Sequence, residues 1–299
     1  MLSLVPPAAV PSAVVAGVGL TLSGTAAVLR RSAALELSAV LDLGGGVGRG
    51  WRQLLAAPEV DLVVLDETGP ERLRKVRQLA DSGKAVLLAD PFPLTVEELD
   101  GLLTAERASD RPIGLLAPHR ALLGAAAQGH SWGPLTCGVL AVSGFRQVEA
   151  HRWGRWGALA DGAPAQAALR AVAPYLDLVC QLLGEPQVLC SLGPGSGADV
   201  GLVDFAQGAR LAWAVTSRAT AQVERLDLLD GGHRLRLEDG WLHVEGPAGR
   251  STTELTSLPA AHELLLGEMA AAINAVGKLR YCSLAAGRGL AMLLGAWKT

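Results

Sequence analysis

The chain has 299 residues, with 26 basic against 29 acidic for a net charge of −3, and half of it is hydrophobic. That is ample material for one large or two ordinary domains, and so even a charge balance gives no strongly basic surface for a nucleic-acid or anionic membrane partner. Cys137, Cys180, Cys190 and Cys282 form no C-x-x-C pair and stand away from His at zinc-ligand spacing, so no metal site is expected; they read as buried, reduced thiols of a cytoplasmic protein.

The apolar start, Met1–Leu29, lacks a basic n-region and is broken by Pro6, Pro7, Pro11 and several glycines. A buried first strand therefore explains it better than a signal peptide or a membrane helix. SAVVAGVG (12–19) has the length and glycine boundary of a buried parallel strand, and a helix-like stretch follows at Gly24–Ser32. Ala34–Asp42 reads as a second strand ending in an acid, Gly44–Gly50 as a loop, Trp51–Ala57 as a short helix and Asp61–Asp66 as a third strand. Pro70–Ser82 is a helix with Leu73, Val76 and Leu79 on one face and Gly83 as its C-terminal cap. A fourth strand spans Ala85–Asp90, Thr95 and Glu98 form a T-x-x-E capping box, and Pro112–Pro118 is a fifth strand. Strands alternating with helices predict a parallel, doubly wound sheet.

After about Gly129 the pattern changes. A long strand is expected at Leu135–Gly144 and a helix at Ala165–Leu183, stopped by Gly184. QVLCSLG, GLVDFAQG, ARLAWAVTS, AQVERLDLLDG, HRLRLEDG and WLHVEG then read as successive strands, several joined by Gly-containing turns of the kind antiparallel hairpins use. Helices at Ala260–Val276 and Ser283–Trp297 close the chain. The expected architecture is α/β: an N-terminal Rossmann parallel sheet over residues 1–118, then an α+β domain over 119–299 with a large, mostly antiparallel open sheet. Helices cover one face of that sheet. Leu211, Trp213 and Val215 are expected on the other, where an exposed apolar surface predicts a homodimer or homotetramer.

The turn after the first strand is Gly17-Val18-Gly19-Leu20-Thr21-Leu22, two glycines of a G-x-G-x-x-G fingerprint with Leu22 in the third place. The first glycine permits a tight turn; the second lets backbone amides at a helix N-terminus approach a pyrophosphate. Asp42 lies 25 residues after Gly17 at a strand end, where an acid binds the adenosine ribose. Its charge opposes a 2′-phosphate, favouring NAD over NADP. Asp66 and Pro91, at or just after the third and fourth strands, complete the expected seat with the backbone of Leu20, Thr21 and Leu22. No G-x-S-x-G elbow or phosphate-binding P-loop is present.

Longer text resembles the glucose–fructose oxidoreductase/inositol dehydrogenase family. APEVDLVVLDETGPERLRKVRQLADSGKAVLLADPFPLTVEEL is similar to a family segment with matches at Val60-Asp61, Thr68, Gly83-Lys84, Pro91, Thr95 and Glu98. Tyr175–Pro186 resembles the family's H-x-x-D-L-x-x-x-L-L-G-E-P, and Val223–Glu245 resembles its sheet hairpin. The resemblance spans nearly the whole chain and implies hydride transfer between NAD(P) and a hydroxyl or carbonyl of a sugar- or cyclitol-like substrate. It also implies a lysine in E-K-P and a D-x-x-x-H pair to handle the substrate proton. Those places hold Asp90, Arg170 and Pro174 here.

Three functions follow from that departure: an oxidoreductase with a rebuilt site, a non-catalytic relative that binds a nucleotide, ligand or partner subunit, or another chemistry altogether. For a rebuilt site the catalytic candidates are Asp90 and Tyr175, with His119 and His151 as further acids or bases. A carboxyl at Asp90 is a poor base at neutral pH unless burial raises its pKa. His119, Arg152, Arg155, Arg170 and Asp177 are the expected substrate contacts, the arginines of HRWGRW (151–156) suiting an acidic or phosphorylated ligand beside stacking tryptophans.

Overall fold

The computed structural model describes residues 10–17, 21–43, 48–67, 69, 71–89, 91–92, 94–121, 136–143, 164–191, 198–216, 223–238, 241–247, 249–254, 258–275 and 277–297. Packing divides the chain into two compact units. One comprises Met1–Pro91, Gly101–Leu116 and His262–Leu284; the other comprises Phe92–Asp100, Ala117–Ala261 and Ala285–Thr299. Among the described residues no helix is long and apolar enough to cross a membrane.

The first unit alternates strand and helix: β1 (Ser12–Gly17), α1 (Thr21–Arg31), β2 (Glu36–Asp42), α2 (Arg49–Ala56), β3 (Leu62–Asp66), α3 (Glu71–Asp81), β4 (Ala85–Leu88), α4 (Val96–Ala108) and β5 (Ile113–Leu115). All five strands are parallel, in the order β2-β1-β3-β4-β5. β3 and β4 are buried at every position, which accounts for their unbroken apolar sequences. The predicted punctuation is in place. Gly83 has φ +76°, a left-handed conformation that stops α3, and the Thr95 hydroxyl accepts from the Glu98 amide at 3.2 Å. Lys84 is buried, and its ammonium donates to the carbonyls of Ala57 and Val60, stapling the α2–β3 turn.

The chain returns to this unit late. Cys282 and Ser283 lie along the outer edge of β5, with the Leu115 amide donating to the Cys282 carbonyl at 2.8 Å and a bridge between Gly114 and Ser283. An open edge is thereby covered. Glu268, in α6 (Leu258–Ile273), holds the returning segment: its carboxylate accepts from three consecutive amides, those of Arg280, Tyr281 and Cys282.

The second unit contains β6 (Cys137–Ser143), α5 (Pro164–Leu183), β7 (Pro186–Ser191), β8 (Ala198–Phe205), β9 (Arg210–Thr216), β10 (Val223–Leu229), β11 (Arg234–Glu238), β12 (Trp241–Gly246), β13 (Gly249–Glu254) and α7 (Arg288–Trp297). The eight strands form one sheet in the order β13-β12-β11-β10-β6-β9-β8-β7, antiparallel except for the β6–β9 pair. β13 is an addition to the expected set. GRSTTE carries no apolar alternation, so nothing in its composition marks it as a strand.

One face of this sheet packs on α5 and α7, and here the expected assignment of faces is reversed. Leu211, Trp213 and Val215 are buried in the core with Val172, Leu176 and Val179 of α5 and Leu290, Leu293 and Leu294 of α7. Gly201 makes this possible. A Cβ there would lie 2.4 Å from the Trp213 ring, so only glycine leaves room for the indole. The open face instead carries Val139, Val200 and Leu202, which are 53%, 48% and 50% exposed. Strand alternation sorts residues into two sets but does not say which set the helices cover; the bulkier set won. The four thiols are all free. Cys180 and Cys282 are buried as expected, whereas Cys137 and Cys190 are exposed.

A buried ion pair ties the segment after β5 to α5. Arg120 Nε lies 2.5 Å from Asp177 Oδ2 and Nη2 lies 2.8 Å from Oδ1, with both side chains about 1% exposed. Burial pushes the Asp177 carboxyl up, and the guanidinium opposes it. Breaking such a pair leaves one buried charge uncompensated. Arg120→Met should lower unfolding free energy by about 3–5 kcal/mol in urea denaturation, and Arg120→Met/Asp177→Leu should recover most of that loss. Glu268→Gln should cost about 1–3 kcal/mol by the same measurement, because one of its acceptors becomes a donor facing amides.

Candidate functional site

In the order β2-β1-β3 the chain reverses direction across the sheet at β1 and β3. Open α/β sheets bind ligands beyond the carboxyl ends of the strands at such a point. Three strand ends meet there in one lateral row, with Gly17 paired to Asp42 on one side and to Asp66 on the other. A Cβ at Gly17 would lie 2.2 Å from the Asp66 carbonyl oxygen and 2.7 Å from its Cβ, so glycine is required by the approach of β3 itself. The Leu43 amide donates to the Gly17 carbonyl at 2.6 Å, which extends the β1–β2 ladder by one rung at this end.

The two carboxylates differ. Asp42 is exposed; Asp66 is 6% exposed and accepts from the Thr25 hydroxyl at 3.1 Å. Helical side chains lean toward the helix N-terminus, so this bond places the Asp66 carboxylate under the first turn of α1. Leu22, in the place of the third glycine, is buried and packs α1 inward together with Ala26 and Leu29. The Pro91 carbonyl accepts from Arg72, a buried cation of α3, at 3.3 Å. Gly19, Leu20 and Asp90 lie outside the described residues, as does the side chain of Thr21.

The second unit gathers other expected residues. His119 and Tyr175 meet edge to face, with ring centroids 4.8 Å apart. The Tyr175 hydroxyl donates to Glu224 Oε2 at 2.8 Å. The Arg120–Asp177 pair lies alongside in sequence, so two consecutive residues of one segment engage two positions of α5. Both oxygens of Asp177 are engaged by Arg120, and its side chain is enclosed. Pro174 stands inside α5, where it has no N–H for the Arg170 carbonyl. Arg170 belongs to the same helix with its side chain outside the described residues, and His151, Arg152 and Arg155 lie outside them altogether.

Three residues escaped the sequence. Thr25 gives no signal beyond being polar on an otherwise apolar helix face. Arg120 is one of many arginines. Glu224 did leave a trace: in VERLDLL it shares the parity of Leu226 and Leu228, so a charge stands on the core-facing side of β10.

No protein-family model matches the chain, and no curated protein matches it significantly. Solved structures do. The chain is similar to UDP-N-acetylglucosamine 3-dehydrogenase from Acidithiobacillus ferrooxidans, at 18% identity over 96% of each chain with a TM-score of 0.74. It is similar to an inositol dehydrogenase homolog from Azotobacter vinelandii complexed with NAD+, at 17% identity over 97% of this chain and 95% of that one, TM-score 0.75. A levoglucosan dehydrogenase in complex with NADH and L-sorbose gives 13% identity over 96% and 95%, TM-score 0.72. The structural neighbours are oxidoreductases of the glucose–fructose oxidoreductase/inositol dehydrogenase type, and what this chain has in common with them is the fold: a Rossmann-like parallel sheet joined to a large, mostly antiparallel one.

Proposed function

We propose that the protein is an NAD(P)-dependent oxidoreductase acting on a small polar substrate of the sugar or cyclitol class. The observation that carries this is the lateral row Asp42–Gly17–Asp66 at the reversal point of the sheet, with α1 starting just beyond it. An exposed carboxylate one strand from the glycine turn suits the two hydroxyls of an adenosine ribose and opposes a 2′-phosphate, so NAD is favoured. Gly17, the amides of Gly19, Leu20, Thr21 and Leu22, and Asp42 hold the dinucleotide, with Asp66 and Pro91 lining the same seat. When bound, the nicotinamide accepts or returns a hydride. The chain's own part is to orient the substrate and hold its proton, and Tyr175 and Asp90 are the groups for the proton. His119, Arg152, Arg155 and Arg170 are the substrate contacts.

A non-catalytic role is favoured by one observation. Asp66 puts a buried negative charge under the first turn of α1, where a pyrophosphate gains most from free amides. Titration calorimetry separates the two. NADH should bind with a Kd at least tenfold below that of NADPH, and Asp42→Ala should narrow the gap. Silence from both nucleotides would overturn the oxidoreductase assignment. If NADH binds, turnover is sought with NAD+ and a panel of myo-inositol, D-glucose, L-sorbose and UDP-N-acetylglucosamine.

A second copy of this chain covers the open face of the eight-stranded sheet. Across that face Leu202, Ala212 and Val139 stand side by side, and so do Val200, Ala214 and Ala141. The apolar block is flanked by Arg225, Asp227 and Arg236, where Asp227 accepts from Arg225, Arg234 and Arg236 at 2.6–3.0 Å. Burial alone would raise the Asp227 carboxyl, but these bonds outweigh it and hold it below its ordinary range. An apolar centre with a rim of both signs can meet its own image about a two-fold axis. Sedimentation at micromolar concentration should give a dimer or tetramer, and Leu202→Glu should give a monomer with unchanged circular dichroism.

A further inference from the structure

Asp66 is a buried acid beside the start of α1. It ends β3 next to Gly17, which ends β1, and the strands come so close there that a Cβ on Gly17 would lie 2.7 Å from the Asp66 Cβ. Its Oδ2 accepts from the Thr25 hydroxyl at 3.1 Å. α1 begins at Thr21, so with a rise of about 1.5 Å per residue Thr25 stands about 6 Å along the axis from the helix start. The carboxylate is therefore held about one turn from the first amides of α1, the groups by which a helix start binds a phosphate, and it is enclosed. The positive end of a helix is worth about half a unit charge, whereas Asp66 carries a whole negative one. A second acid, Asp42, is in register with Gly17 on the other side. Of the buried cations of α3, Lys75 pairs with Glu67, and Arg72 donates to the Pro91 carbonyl.

We infer, resting on the nucleotide seat proposed above, that Asp66 is its specificity-determining residue: its charge penalises the phosphates of a ligand and leaves recognition to the adenosine part, at Asp42. A helix start lined by free amides ordinarily makes phosphate the strongest handle on a nucleotide. Here an anion already lies beside that start, in surroundings too enclosed for salt to screen it well. The ligand class that suits the seat is a nucleoside with free ribose hydroxyls. A dinucleotide is held through the same hydroxyls but gains little from its pyrophosphate. Thr25 supplies the bond that fixes the carboxylate and adds no charge of its own.

The test uses the whole chain, with adenosine, ADP-ribose, NADH and NADPH titrated calorimetrically into wild type, Asp66→Asn and Thr25→Val. Asp66→Asn is close to isosteric, and its side-chain oxygen can still accept from Thr25. It should tighten ADP-ribose and NADH about tenfold or more and leave adenosine within about twofold. Thr25→Val removes the bond but keeps the charge, and should not tighten ADP-ribose. The wild type alone gives a second readout that depends on no variant folding: ADP-ribose should bind no more tightly than adenosine. Four results would each overturn the role of Asp66 and leave dinucleotide binding standing. They are ADP-ribose binding the wild type more than about tenfold tighter than adenosine, an Asp66→Asn affinity for NADH within about threefold of wild type, equal tightening of adenosine, or tightening by Thr25→Val. Adenosine binding with silence from NADH and NADPH in the wild type, and NADH binding gained in Asp66→Asn, supports the role of Asp66 and removes the oxidoreductase assignment. Silence from every ligand in both wild type and Asp66→Asn removes both.

Discussion

The candidate chemistry of the second unit hangs on one enclosed ion pair. Arg120 and Asp177 leave no charge exposed, and their two parallel bonds fix the segment after β5 against α5 in both distance and angle. His119 precedes Arg120 and Tyr175 lies two residues before Asp177, so the contact between their rings is a consequence of that fixation. An enclosed pair of this kind contributes little net stability over an apolar replacement. What it adds here is position: an aliphatic pair could fill the volume, but it could slide.

The first unit solves a different problem with a different constraint. β1 and β3 approach so closely at their carboxyl ends that Gly17 admits no side chain. The two acids of the row differ in setting. Asp42 faces water, whereas Asp66 is buried and ties α1 to the sheet through Thr25. A glycine at the third fingerprint position would bring helix and sheet together by absence of bulk; here Leu22 fills the gap, and the Thr25–Asp66 bond adds a polar tie nearby.

Much of this was legible in the residues. Unbroken apolar runs such as LVVLD and AVLL marked buried parallel strands, Gly83 and Thr95 marked helix ends, and the hairpins of the second sheet followed their alternation. Three things were not legible, for physical reasons. β13 is polar at the sheet margin, so it lacks the pattern by which strands are found. The covered face of the second sheet depends on where α5 lands, which no local pattern of β9 encodes, so the alternation of Leu211, Trp213 and Val215 does not reveal that they face the helices. The partners of Tyr175 and Asp177 are 49 and 57 residues away in the chain, and side-chain pairing at that range is a property of the assembled fold.

The polar margin strand also bears on how well the sheet resists unwanted pairing. β13 ends the eight-stranded sheet with Arg250, Ser251, Thr252 and Thr253 in place of aliphatic residues, and its length is only six residues. A margin of that composition gives an incoming strand little to zip against. Growth of the sheet from one molecule into the next, the route to fibrous aggregates, is therefore discouraged on that side.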